Sequence, residues 1–171
     1  MRRPLVSAVL ALVAGTLLGC DAGVDPLPVD GTMHATIQQR STTNPTFVGT
    51  SDRWDAEKRL TATMSPGGNL LITGIENSGI AITLTVYDAA VGSFTALGGE
   101  PAPRLEATIG NDATFSYTSA AFGGTISAAI TQLSATKAVG TFEFLAFPLI
   151  VDGARTPSYR IRNGTFDVTI K

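Results

Sequence analysis

Apolar and polar residues alternate along most of this chain. Over residues 79–87, Ile80, Ile82, Leu84 and Val86 alternate with Ala81, Thr83 and Thr85, the period of two that sends one set to each face of a strand. The preceding apolar run, residues 69–75, ends in Glu76-Asn77-Ser78-Gly79, a turn cluster that predicts a hairpin with the strand after it. Residues 60–65 form another strand candidate, closed by Pro66-Gly67-Gly68, so three neighbouring strands are expected to run as a meander.

The second half repeats the pattern. Residues 114–118, 125–133, 139–147 and 159–170 are rich in β-branched and aromatic side chains and are separated by Gly, Pro, Asn or Asp. With residues 33–37, 94–97 and 104–109 they make about ten strands, and helical spacing is nowhere sustained. The expected fold is all-β: one antiparallel β-sandwich or β-barrel over residues 32–171. Four triplets place Gly, a hydroxyl residue and a large apolar residue in that order: Gly92-Ser93-Phe94, Gly124-Thr125-Ile126, Gly140-Thr141-Phe142 and Gly164-Thr165-Phe166. Their uneven spacing marks bulges or bends in strands rather than a repeat architecture. Asn163-Gly164 is itself a turn or bulge signal. Pro148, within Ala146-Phe147-Pro148-Leu149-Ile150-Val151, is expected to interrupt its strand. That apolar stretch caps the core or meets a partner or membrane.

The first residues follow another pattern. Met1-Arg2-Arg3-Pro4 precedes an uncharged apolar stretch, residues 5–18, the order of a secretory signal peptide. As a helix that stretch rises about 21 Å, short of a bilayer's hydrocarbon core of roughly 30 Å. Leu17-Leu18-Gly19-Cys20 resembles the lipobox of bacterial lipoproteins, which implies cleavage between Gly19 and Cys20 and lipidation of Cys20. Several acyl chains hold a protein at a bilayer where a single one does not. Cys20 is the sole cysteine, and lipidation accounts for an odd thiol in an exported protein. Residues 1–19 are therefore the expected signal peptide, residues 20–31 a Pro-containing tether reaching about 30 Å, and the address a bacterial envelope membrane, the outer in preference to the inner.

Composition narrows the function. Charged residues are 15% of 171, the formal charge is −2, and the basic residues are scattered, which excludes an electrostatic footprint for nucleic acid. His34 is the only histidine, so no site of two or three His ligands exists. If Met33, Ala35 and Ile37 face inward, His34 faces solvent. No Gly-x-Ser-x-Gly occurs, and Ser65-Pro66-Gly67-Gly68 lacks the Lys and helix of a P-loop. Glu143 and Asp167 each follow a Gly-Thr-Phe and are expected to point outward as solvated charges. The sequence offers no catalytic constellation, metal site or cofactor motif, and the reading is non-catalytic.

An ordered set of motifs carries a family resemblance. Trp54-Asp55-Ala56 is followed by Leu70-Leu71-Ile72-Thr73-Gly74, the alternating strand from Ile80 to Val86, Gly92-Ser93-Phe94, Gly140 to Phe144, and a closing Asn163-Gly164-Thr165-Phe166. Across residues 31–171 this order resembles the DUF6252-like bacterial lipoproteins of unknown function. The resemblance implies a small antiparallel β domain on a lipid anchor and brings no catalytic residues. The stretch 38–53, with Ser41-Thr42-Thr43-Asn44-Pro45, is longer and more polar than that family's link between first strand and aromatic.

Two placements remain open for the apolar strand residues. Phe94, Phe115, Tyr117, Phe142, Phe144, Tyr159 and Phe166 fall in phase with apolar neighbours and read as core. Alternatively, in a closed lipocalin-like barrel, Ile80, Ile82, Leu84, Phe142, Phe144 and Phe166 would line a cavity for a small apolar ligand. Arg160 and Arg162 flank Ile161 and share an outward face suited to an acidic partner. The expected partners are the membrane, through the lipid on Cys20, and another envelope protein.

Overall fold

The structure, a computed structural model, describes residues 30–40, 51–111, 115–148 and 158–171. The signal peptide, most of the tether, Ser41-Thr42-Thr43-Asn44-Pro45 and Leu149 to Val151 lie outside them. Among the described residues there is no helix, and eleven strands form a curled sheet, a half-barrel. They are β1 (Gly31–Arg40), β2 (Asp52–Asp55), β3 (Arg59–Met64), β4 (Leu70–Ile75), β5 (Ala81–Val86), β6 (Gly92–Leu97), β7 (Leu105–Asn111), β8 (Phe115–Thr118), β9 (Thr125–Leu133), β10 (Lys137–Pro148) and β11 (Ser158–Thr169).

The sheet runs β2-β1-β11-β10-β8-β7-β5-β4-β3, and β6 and β9 branch from β10. All ladders are antiparallel. The twelve-residue β10 makes the branch possible: residues 138–145 pair with β9, and Phe147 and Pro148 pair with β8. Two layers therefore share one strand. At the far end of the path, β3 meets the end of β11 through a parallel bridge between Ala62 and Ile170, and Lys171 N–H donates to Ala62 O at 3.0 Å.

The meander from β3 to β5 forms as the turn chemistry predicts, and Gly79, at φ +91°, takes the left-handed turn position. Pro148 is the last residue of β10 among the described residues and stands opposite Tyr117. The strand missed in sequence is β2. Its four residues are too few for alternation to emerge from the polar stretch around them, and it exists because Trp54 is 1% exposed in the core.

Two of the four triplets prove to be structural partners. Gly140 lies opposite Phe166, Thr141 opposite Thr165 and Phe142 opposite Gly164. A Cβ on Gly140 would stand 2.5 Å from Phe166 Cζ, and one on Gly164 would stand 2.6 Å from the Phe142 ring. Each phenylalanine thus covers the bare backbone of the other triplet, the cross-strand shielding of glycine by an aromatic ring. Beside them β11 bulges at Asn163, whose φ is +51°, and the register shifts against both β1 and β10. A second shift separates β9 from β10 at Gly140. Such bulges increase local twist and help the sheet curl.

Candidate functional site: an outward shelf across four strands

The alternation that fills the core also determines what the outer face of β6, β9, β10 and β11 presents. Phe94, Ala96, Ile126, Ala128, Phe142, Phe144, Ile161 and Phe166 point inward and are buried. Ser93, Thr95 and Leu97 from β6, Thr125 and Ser127 from β9, Thr141 and Glu143 from β10, and Arg162 and Thr165 from β11 are exposed. Two adjoining cavities of about 510 and 560 Å³ open over this face and share Thr95, Ser127 and Glu143. Small side chains form a shelf. Leu97 and Leu145 stand towards one end, with Arg160 and Arg162 along the β11 side. The bulge shapes that side, because it sets Arg162 and Asn163 together against Glu143, whose Oε1 accepts from Asn163 N–H at 3.4 Å.

Beyond β11, the outer face continues to His34, Asp55 and Arg53. His34 lies opposite both Thr165 and Asp55. Its Nδ1–H donates to Asp55 Oδ1 at 2.7 Å, Arg53 Nε–H donates to Oδ2 at 2.7 Å, and a second guanidinium N–H reaches Oδ1 at 3.1 Å. The Arg53 bonds, with help from His34, hold the Asp55 carboxyl below the ordinary carboxylate range, against a smaller opposing effect of burial. Using Nδ1–H for Asp55 leaves Nε2 as the free ring nitrogen. Among the described residues, no further His, Cys, Asp or Glu completes a three-residue metal cluster.

The sequence placed several of these groups well. His34 faces outward, half-exposed, and Glu143 and Asp167 are exposed, Asp167 pairing with Lys137 Nζ at 3.0 Å. Arg160 and Arg162 share an outward cavity wall. Ile82, Leu84, Phe142, Phe144 and Phe166 belong to one contiguous core, with Ile80 packed against it. Phe142 stacks near Phe144 at 6.3 Å between centroids and lies 6.5 Å from Phe166. The side chains weighed as a carrier's lining thus pack on one another, and Phe144 and Phe142 also border the two cavities. Ala146 is fully buried, and Phe147 and Pro148 are half-buried; Leu149 to Val151 of that stretch lie outside the described residues.

Two features escaped sequence reasoning. Asp55, as the partner of His34, depends on the β1–β2 ladder. The shelf depends on β6 and β11 being brought to opposite sides of β9 and β10; Gly-hydroxyl-apolar triplets, with Ser93, Thr125, Thr141 and Thr165 at their centres, were its only trace.

An all-β domain with a curled, branched sheet, a packed interior and a small-residue shelf outside is the class these features define. The family described as Domain of unknown function (DUF6252) matches residues 43–168, and the chain belongs to it. No curated protein and no solved structure matches the chain.

Proposed function

We propose that this chain is a lipid-anchored protein of the bacterial envelope, held through Cys20 at a membrane, the outer one, and that its β domain is a non-catalytic module binding another envelope protein over the outer shelf. One observation carries the binding reading: two adjoining cavities bordered by four strands, with exposed Ser93, Thr95, Ser127, Thr141 and Thr165 among their lining and Glu143, Arg160 and Arg162 along one side. The exposed guanidinium of Arg162 suits a carboxylate-bearing segment of the partner.

The anchoring half of the reading rests on Leu17-Leu18-Gly19-Cys20. Its geometry is compatible with the fold. Asp30, where the tether meets the domain, pairs with Lys171 Nζ at 2.6 Å, and its carbonyl accepts from Thr169 N–H. The tether therefore joins the end of the domain where β11 finishes, and the shelf lies along the strands that lead away from it.

Metabolic labelling with a fatty acid checks the anchor: wild-type chain should take up label and Cys20→Ala should not, and label on the variant would overturn it. Binding is checked by in-cell cross-linking of the wild type against Ser127→Arg, which fills the shelf. A specific neighbour lost in the variant supports the module; an identical neighbour set in both chains counts against it.

A further inference from the structure

Among the described residues, three strands have a single laddered neighbour: β2, β3 and β6. Such edges present unpaired main-chain groups, and proteins commonly protect them with charge, proline or a covering segment. β2 carries Asp52, Arg53 and Asp55, and β3 begins at Arg59 and is met by Ile170 and Lys171. β6, Gly-Ser-Phe-Thr-Ala-Leu, has neither charge nor proline. Apolar residues sit exposed at both its ends, Val91 at 63% and Leu97 at 61%.

The ladder shows which groups face the open side. Gly98 N–H donates to Gly124 O at 2.8 Å, towards β9. In an antiparallel pair the direction alternates residue by residue, so the even-numbered residues of β6 bond β9, and the N–H and C=O of Ser93 and Thr95 point away from it. Ser93 and Thr95 side chains are exposed on the shelf face, while Phe94 and Ala96 are buried within.

We infer that β6 is a self-association edge, pairing antiparallel with β6 of a second copy about a twofold axis at Phe94. A second copy is favoured over an unrelated strand because the edge is self-complementary. Val91 and Leu97 each lie three residues from Phe94. Pairing about that residue sets Leu97 of one copy against Val91 of the other, twice, and covers both exposed apolar groups. The same register sets Ser93 opposite Thr95 of the other copy, as the pairs that exchange main-chain hydrogen bonds. An isologous contact of this kind closes after two copies and does not propagate. It also joins the two shelves into one surface across the axis, since Ser93, Thr95 and Leu97 line them.

The test uses the full chain carrying Cys20→Ser, so that introduced thiols are the only ones present. Val91→Cys with Leu97→Cys should oxidise to a species of twice the chain mass, whereas Leu71→Cys, exposed on β4, should not. By sedimentation, Ser93→Lys with Thr95→Lys should weaken the dimer at least tenfold, because lysines meet lysines across the axis. Ser93→Glu with Thr95→Lys should restore it, because position 93 faces position 95 of the other copy. All four positions are exposed, and circular dichroism checks that the β fold persists. A chain that remains monomeric, cross-linking no faster than that of the Leu71→Cys chain, or a dimer indifferent to both charge patterns would overturn the inference. So would finding a strand of a different protein seated on β6.

Discussion

Gly140 and Gly164 show how much a single missing side chain decides. Each sits beneath a phenylalanine ring of the opposing triplet, and a methyl group at Gly140 would also meet Ala129 O. Gly140→Ala and Gly164→Ala should each lower stability by about 1–3 kcal/mol, the usual cost of overpacking. Gly67→Ala, whose nearest neighbour would be Ser65 Oγ at 3.7 Å, should leave urea unfolding almost unchanged. Gly74 plays a comparable part, because its bare Cα admits Trp54 Cη2, Ala56 Cβ and Met33 Sδ, and Trp54 Nε1–H then donates to Ile80 O at 3.1 Å. Asp55 gives a prediction in pH. Its folded carboxyl is held down by Arg53 first and His34 second, so the stabilisation is present above the ordinary carboxylate range and fades as pH falls through the depressed folded value. Asp55→Asn should cost up to about 1 kcal/mol at pH 7, as expected of an ion pair whose Arg53 partner is exposed. The gap from wild type should narrow towards pH 3, and a gap that stays constant in urea titrations would contradict the sign.

At the scale of elements, the weakest seam is the meeting of β3 with β11. It consists of the Ala62–Ile170 bridge and the bond from Lys171 N–H, whereas β10 and β11 share a ladder from Lys137–Thr169 to Ala146–Tyr159. Ile170 is 7% exposed and packs inside the seam. Ile170→Ala should therefore cost about 2 kcal/mol and speed hydrogen exchange in β3 ahead of β10 and β11, because local opening begins where few contacts hold an element. Uniform acceleration in all strands would show that the seam opens only with the whole domain. Ten of the eleven strands were legible from alternation and turn residues. β2 was not, since a short polar strand is defined by the partner it pairs with, here His34 to Ile37 of β1.

For the whole molecule, the ladder between β1 and β11 is decisive, because it pairs Gly31 with Val168 across nearly all the described chain. Closing such loops before their contacts form slows folding, so refolding should occur in milliseconds to seconds, as in all-β domains; a dominant microsecond phase in stopped-flow or temperature-jump experiments would refute it. The same long-range closure gathers residues 93–97, 125–129, 141–145 and 160–165 into one shelf. The sequence alone determined the all-β class, the faces on which His34, Glu143, Asp167, Arg160 and Arg162 lie, and the inward placement of Phe94, Tyr117, Phe142, Phe144 and Phe166, because a period of two and turn chemistry are local properties of the backbone; Tyr159 is half-buried, and the Phe115 side chain lies outside the described residues. It also revealed the family through motifs in order. Only the tertiary structure decided that the two Gly-Thr-Phe triplets shield one another, that Asp55 holds His34, and that the interior is packed while the cavities lie outside. Those outcomes depend on register and strand order, which are set by energies summed between segments distant in the chain.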